Sequence, residues 1–496
     1  MKKKYFKVLL LSLIILTGAC SKDFLENHPT GSLNESVPFT STQNAMSLLN
    51  GIHRMMYSGV SPWNQGFTGQ GSVEIYNDMM GEDVVMTAAG NGWYNNTYKW
   101  VDHRNFNSSQ TYEVYRFYYK IINNANALIT NVDNIPGADP VKTDAEKKVL
   151  KGQALVYRAW AHFNLVQLYG KRYDATAKPN AELGVPLKTT VGYSSQARAT
   201  VEEVYTQINK DLDDAISILT TKRDNKSHIN LAVAKGLKAR VALTQQDWAT
   251  AAKYAAEART DFPLMSQADY VKGFNDYNNS EWMWGITVIP DQTLDFGHFF
   301  AYMSCNYSST NIRNNPKAIN SKLYNLISAT DVRKKLWDPT GKAYTFLPGN
   351  FVKKPYMNCK FIAAGPADSR GDMVWMRAAE MYLIEAEAKA NLGDATANDI
   401  LFELMKSRDA SAVKPAETGA ALLPTIYIQR RIELWGEGFR FLDLKRLNQP
   451  LDRTGANHNT SLAGNIMSNP IGDNNWQYLF PKTETDANKD LKQNPY

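Results

Sequence analysis

The segment RRIELWGEGFRFLDLKR, Arg430 to Arg446, gathers Glu433, Glu437 and Asp443 among basic residues around a Gly-Glu-Gly break. Two carboxylates four residues apart could in principle form an acid/base pair. A general acid needs a raised pKa, and a glycosidase needs two carboxyl groups facing each other across a cleft. On a continuous helix Glu433 and Glu437 stand side by side on one face instead. Gly436 and Gly438 favour a break in the helix there. Arg430, Arg431 and Arg440 are near enough to pair with the carboxylates, and pairing lowers a carboxylate pKa, the wrong direction for an acid. Ile428, Ile432 and Trp435 fall on one apolar stripe. The segment therefore predicts ion pairs that fix a helical corner, and no catalytic residue is assigned.

Other signatures of chemistry are absent from the sequence. The seven histidines are scattered, with no HExxH and no CxxC, so no metal site is assigned. No GxSxG, Walker A or GxGxxG motif occurs, and no cofactor is implied. Beyond Cys20 the cysteines are Cys305 and Cys359. Two cysteines are not a disulfide framework, and the sequence assigns no bridge.

The N-terminus MKKKYFKVLLLSLIILTGAC has a basic start, an apolar run from Val8 to Leu16, and small residues before Cys20. That is the layout of a secretory signal peptide, 1–19, too short to remain as a membrane span. The end of the run looks like a bacterial lipoprotein box, which makes Cys20 the expected lipidation site. Removing the four lysines of the leader lowers the formal charge from +6 to +2. Such a nearly neutral body gives no basic patch for nucleic acid. Residues 20–39 are polar and turn-rich, the expected tether.

The elements behind these motifs are mostly helical. Tyr112–Ile129 and Asp144–Gly170 carry apolar residues at three-to-four spacing. Thr200 with Glu203 forms a capping-box pattern. Asn230–Ala258 reads as two alanine-rich helices around a turn at Gln245–Asp247, and Met376–Met405 repeats the pattern with its turn at Asn391–Asp394. Ala386, Ala388 and Ala390 stand where Ala239, Val241 and Leu243 stand in the first hairpin. Small residues let antiparallel helices approach closely, the layout of a tetratricopeptide (TPR)-like hairpin. The fold class is therefore mostly α: a TPR-like helical hairpin scaffold with an irregular, loop-rich ligand face and a few short strands. The expected divisions are a helical part at 40–261, a loop-rich part at 262–372 and a C-terminal helical part at 373–496. In the loop-rich part Trp282–Val288 reads as a short strand, with Trp282 and Trp284 on one face. Long polar-aromatic loops on a rigid scaffold are where binding usually resides.

Several segments in order resemble the SusD/RagB family of outer-membrane nutrient-binding lipoproteins of Bacteroidota. They are WMRAAEMYLIEAEAKANLGD, IQRRIELWGEGFRFLDLKR, the closing YLFPKTETDANKDLKQNPY, the early DFLENHPTG and YRAWAHFNLVQLYG. Gln429 departs from the family's glutamate, and KRYDATAKPNAEL is inserted before Gly184-Val185-Pro186. The resemblance implies a non-enzymatic surface binder of an oligosaccharide, held to the outer membrane by its lipid. It also implies a partner, a SusC-like TonB-dependent β-barrel transporter. Peptide import, as in RagB-like members, a secreted glycosidase and a pure interaction scaffold are the alternatives.

Sugars stack their C–H faces on aromatic rings while amides and charges take their hydroxyls. The chain has 26 Tyr, 19 Phe and 11 Trp, so the useful aromatics are those outside helical stripes. Trp160, Trp248, Trp375 and Trp435 lie in helical patterns and read as core. Trp93, Tyr94, Tyr98 and Trp100, with Asn96 among them, are the expected platform, in an early loop where the resemblance also puts one. Tyr302, Tyr307 and Trp337 in the later loops complete the expected ligand set.

Overall fold

The computed structural model describes residues 37–60 and 64–496. The leader, Cys20 and most of the expected tether lie outside the described residues.

The helices run α1 (Thr42–Ser58), α2 (Gln70–Met79), α3 (Ser109–Asn131), α4 (Pro140–Tyr169), α5 (Val201–Ile218), α6 (Leu231–Gln245) and α7 (Trp248–Arg259). After the loop-rich part come α8 (Ala378–Asn391), α9 (Ala397–Arg408), α10 (Leu423–Glu433) and α11 (Arg440–Arg446). Local chemistry sets their ends. The Asp139 side chain caps α4 and Pro140 opens it, where a missing N–H costs nothing. Thr200 and Glu203 close a reciprocal capping box on α5. In the α6–α7 turn Gln246 takes φ 59° and Asp247 caps the second helix, so the chain reverses in a few residues.

Consecutive helices pack as antiparallel pairs: α3 with α4, α4 with α5, α6 with α7, and α8 with α9. The alanine stripes explain the close approach. Ala239, Ala251, Ala255, Ala386 and Ala388 are all fully buried, and α7 packs on α8 to join the two hairpins. Trp160, Trp375 and Trp435 are buried as their helical or strand patterns require, while Trp248 is half-buried at the start of α7.

One expected boundary moves. Met376 and Arg377 belong to a strand, Met373–Arg377, rather than to the helix that follows. This strand pairs antiparallel with Trp282–Ile286, Trp282 opposite Arg377. The strand geometry turns the Arg377 side chain into the core, where several carboxylates await it. Trp282 and Trp284 are both buried, on a strand whose register shifts between them.

A second small sheet positions the loops. Val84–Met86 pairs with Lys317–Ile319, which pairs with Met357–Asn358, which pairs with Trp337–Asp338, all antiparallel. The loop after Met86 is thereby brought beside the segment before Lys317.

Candidate ligand-binding site

The carboxylates of the Arg430–Arg446 corner are enclosed by cations from other elements. Glu433 is fully buried at the end of α10. It accepts from Arg377 Nη1 at 2.6 Å, Arg408 Nη2 at 3.0 Å and Arg333 Nη1 at 3.1 Å. Glu437 accepts from Lys360 Nζ at 2.6 Å and Arg377 Nη2 at 2.8 Å. Glu281 bridges Arg377 and Arg408 at 2.8 and 2.7 Å. Burial alone would raise the Glu433 pKa, but the guanidiniums of Arg408, Arg377 and Arg333 outweigh it and hold the carboxyl well below its usual range. Glu437 is lowered too, burial being outweighed by Arg377 and Lys360. Permanently ionised, buried carboxylates with filled hydrogen-bond shells cannot deliver a proton to a substrate. Gln429 keeps a role in the network, accepting from Arg333 Nη2 at 2.6 Å.

The same corner docks on α2. Arg440 Nε donates to Glu82 at 2.9 Å, and Gly438 N donates to Asp78 at 2.8 Å. Gly438 has φ +82°, and a Cβ there would lie 2.6 Å from the Glu74 Cα. Only glycine meets both conditions. Behind this contact is a small cavity of about 70 Å³ bounded by polar and apolar side chains, among them Glu74, Asn77, Trp375 and Arg430. It is lined by buried polar groups suited to water, and its volume is too small for an oligosaccharide.

The loops present a different surface. Trp93 is half-buried and meets Tyr302 edge-on, with ring centroids 5.8 Å apart. Tyr94, at φ 64°, meets Tyr302 from another side at 5.0 Å. Tyr302 Oη donates to Gln65 O at 2.8 Å. A Cβ on Gly66 would lie 3.0 Å from the Trp93 ring, so the indole rests on that glycine. The Asn315 side chain accepts from Thr87 N and Ala88 N at 3.0 and 3.1 Å, tying the early loop to the later one. In the later loops Phe296, 50% exposed, packs on Tyr307 at 6.0 Å. Asn91 and Asn96 are exposed in the segment that carries Trp93, Asp295 is exposed next to Phe296 in sequence, and Asp368 and Arg370 form an ion pair.

The structure thus brings Trp93, Tyr94 and Tyr302 into one aromatic group and leaves Asn96 exposed. Tyr302 is buried against the edge of Trp93, and Tyr94 is buried against Tyr302 and Tyr76. Tyr307 is buried under Phe296. Three expected ligand residues are elsewhere. Tyr98 is fully buried, hydrogen-bonded to His458, with the Arg453 guanidinium 4.3 Å over its ring. Trp100 donates its indole N–H to Met80 O at 2.9 Å and packs edge-on against Trp476 at 4.9 Å. Trp337 is buried against Trp435 at 5.5 Å. Their ring faces are occupied by protein, which corrects the expectation that they line a ligand. Sequence reasoning passed over Phe296. The signal was present in TLDFGHFF, where an aromatic sits in a polar Asp-Phe-Gly turn with no helical stripe to bury it.

Two family models match successive parts of the chain. A family model described as starch-binding, associating with outer membrane, matches residues 23–243. A SusD family model matches residues 291–496. Among solved structures, a SusD-like carbohydrate binding protein from Bacteroides vulgatus is 26% identical. The match covers 91% of this chain and 98% of that one, with a TM-score of 0.79. A SusD superfamily protein from Bacteroides thetaiotaomicron is 25% identical over 92% of this chain and 100% of its own, with a TM-score of 0.78. A laminarin binding SusD-like protein, 20% identical, shares the fold at a TM-score of 0.70, over 92% of this chain and 100% of its own. No curated protein matches. With both halves of the chain matched by SusD-type models and the helical scaffold superposing on SusD structures along nearly its whole length, the chain belongs to the SusD/RagB family.

Proposed function

We propose that this protein captures an oligosaccharide at the cell surface and passes it to a SusC-like TonB-dependent β-barrel transporter, without altering it chemically. The observation that carries the reading is the half-buried Trp93 seated on Tyr302, together with the exposed Phe296 seated on Tyr307. Each outer ring is held by an inner tyrosine and so keeps its orientation before any ligand arrives. Aromatic groups held in place in this way lose little freedom on binding. Exposed Asn91 and Asn96 can exchange hydrogen bonds with sugar hydroxyls.

The carbohydrate-binding proteins among its structural relatives support this ligand class. The lipid at Cys20 would hold the body at the outer membrane, and among the described residues no helix is long and apolar enough to cross one. The buried, arginine-held Glu433 and Glu437 favour binding over hydrolysis at the corner. Calorimetry of the mature protein against starch-derived and β-glucan oligosaccharides, with short peptides as the alternative ligands, tests the reading. Saturable binding of one glycan class with no product formed over hours is expected. Binding confined to peptides, or release of shorter sugars, would overturn it.

A further inference from the structure

Cys305 lies between the two inner tyrosines, three residues after Tyr302 and two before Tyr307. Its amide donates to Phe361 O at 3.0 Å, which sets this segment beside residues 359–361. Cys359 directly follows the strand Met357–Asn358, and its amide donates to Leu336 O at 2.7 Å. Both side chains are buried and pack in one small cluster with Tyr344, Leu347 and Met357. The two cysteines are the only thiols in this cluster, and both are free in the structure. Two cysteines distant in sequence therefore share one enclosed site.

We propose that Cys305 and Cys359 form a disulfide in the mature, exported protein. Proteins outside the cytoplasm meet an oxidising environment in which such bonds persist. The oxidant would be a dithiol–disulfide exchange protein of the cell envelope. One cysteine thiolate attacks the oxidant's disulfide, breaking that S–S bond and forming a mixed disulfide. The second cysteine thiolate then displaces the remaining oxidant sulfur. One S–S bond forms and one breaks, two electrons pass to the oxidant, and it leaves as a dithiol carrying both protons. Burial pushes the Cys359 thiol strongly upward, so thiolate is scarce once the cluster has closed. The exchange belongs to the folding chain, before Tyr344 and Leu347 cover the sulfurs, and the same cover then shields the bond from reductants. The closed bond joins the segment carrying Tyr302 and Tyr307 to the small sheet. The bridge itself does not depend on the ligand reading.

The test uses the full chain, produced with its leader and purified from the cell envelope. The protein is unfolded in iodoacetamide without reductant, digested, and mapped by mass spectrometry. The expected result is a cross-linked pair of peptides containing Cys305 and Cys359, each alkylated only after reduction. Quantitative alkylation of both cysteines without reduction would overturn the proposal. A second measurement compares thermal unfolding of wild type with and without reduction in the unfolded state before refolding. Reduction should lower the midpoint to that of a Cys305→Ala/Cys359→Ala double variant. An unchanged midpoint would count equally against the bond.

Discussion

Arg377 holds Glu433 at two points: Nη1 donates to the carboxylate and Nη2 to the backbone carbonyl, both at 2.6 Å. One guanidinium thus ties the strand leading into α8 to the end of α10, and its Nε reaches on to Glu437 at 2.8 Å. The arrangement makes the Gly-Glu-Gly corner a keystone between the second hairpin and α2.

Breaking one member of this group should cost stability and leave ligand affinity intact. Glu437→Gln leaves Lys360 and Arg377 with less compensating charge in the interior. A loss of about 3 kcal/mol is expected, as for other buried pairs cut on one side. Urea denaturation measures it, and glycan calorimetry on the folded variant should match wild type. Lost affinity in a variant of unchanged stability would contradict this assignment.

The two tryptophans of the early loop should separate cleanly. Trp93→Ala removes an outer ring and should weaken glycan binding tenfold or more, about 1.4 kcal/mol, with little change in melting. Trp100→Ala empties a space between Trp476, Phe441 and His103. It should destabilise the fold by about 3–5 kcal/mol. Equal effects of the two on binding at constant stability would refute the division between platform and core.

Phe296→Ala should lower affinity with no loss of stability, because half of the side chain is already in solvent. Calorimetry with the same glycan checks this, and unchanged affinity would confine the site to Trp93 and its neighbours.

Two buried aspartates should give opposite pH dependence. Burial pushes Asp78 up to about 7, against the opposing amides of Gly438 and Arg440. An unfolded aspartate titrates near 3.9, so the folded state holds this proton more tightly. Its contribution to stability is complete below about pH 4 and is lost as pH rises toward 7. Asp443 is held at about 2, its burial outweighed by Arg430 and Arg446. Its contribution is present above about pH 4 and lost as pH falls toward 2. The stability of Asp78→Asn relative to wild type should therefore rise from pH 4 to pH 7 in urea titrations. A pH-independent difference would contradict the buried proton.

Cys20 lies outside the described residues, and its expected role is tested in cells. Cys20→Ser should abolish incorporation of labelled fatty acid and release the protein from the membrane fraction. Continued labelling would move the anchor to another residue.

The sequence by itself determined the family, the helical scaffold and the structural meaning of the Arg430–Arg446 corner. Caps such as Thr200–Glu203 and alanine stripes such as Ala239–Ala242 act within one or two turns, so their consequences are written locally. The glycines and the surplus of arginines around Glu433 likewise predicted ion pairing over catalysis. Which partners those carboxylates take was decided only in three dimensions, since Arg333, Lys360, Arg377 and Arg408 arrive from different elements. The same holds for the aromatics. Trp93 and Trp100 are seven residues apart in similar polar surroundings. One is left at the surface on Gly66 and Tyr302, and the other is enclosed by Phe441 and Trp476 from the far end of the chain. Burial depends on what packs against a side chain, and for loop aromatics those neighbours are remote in sequence.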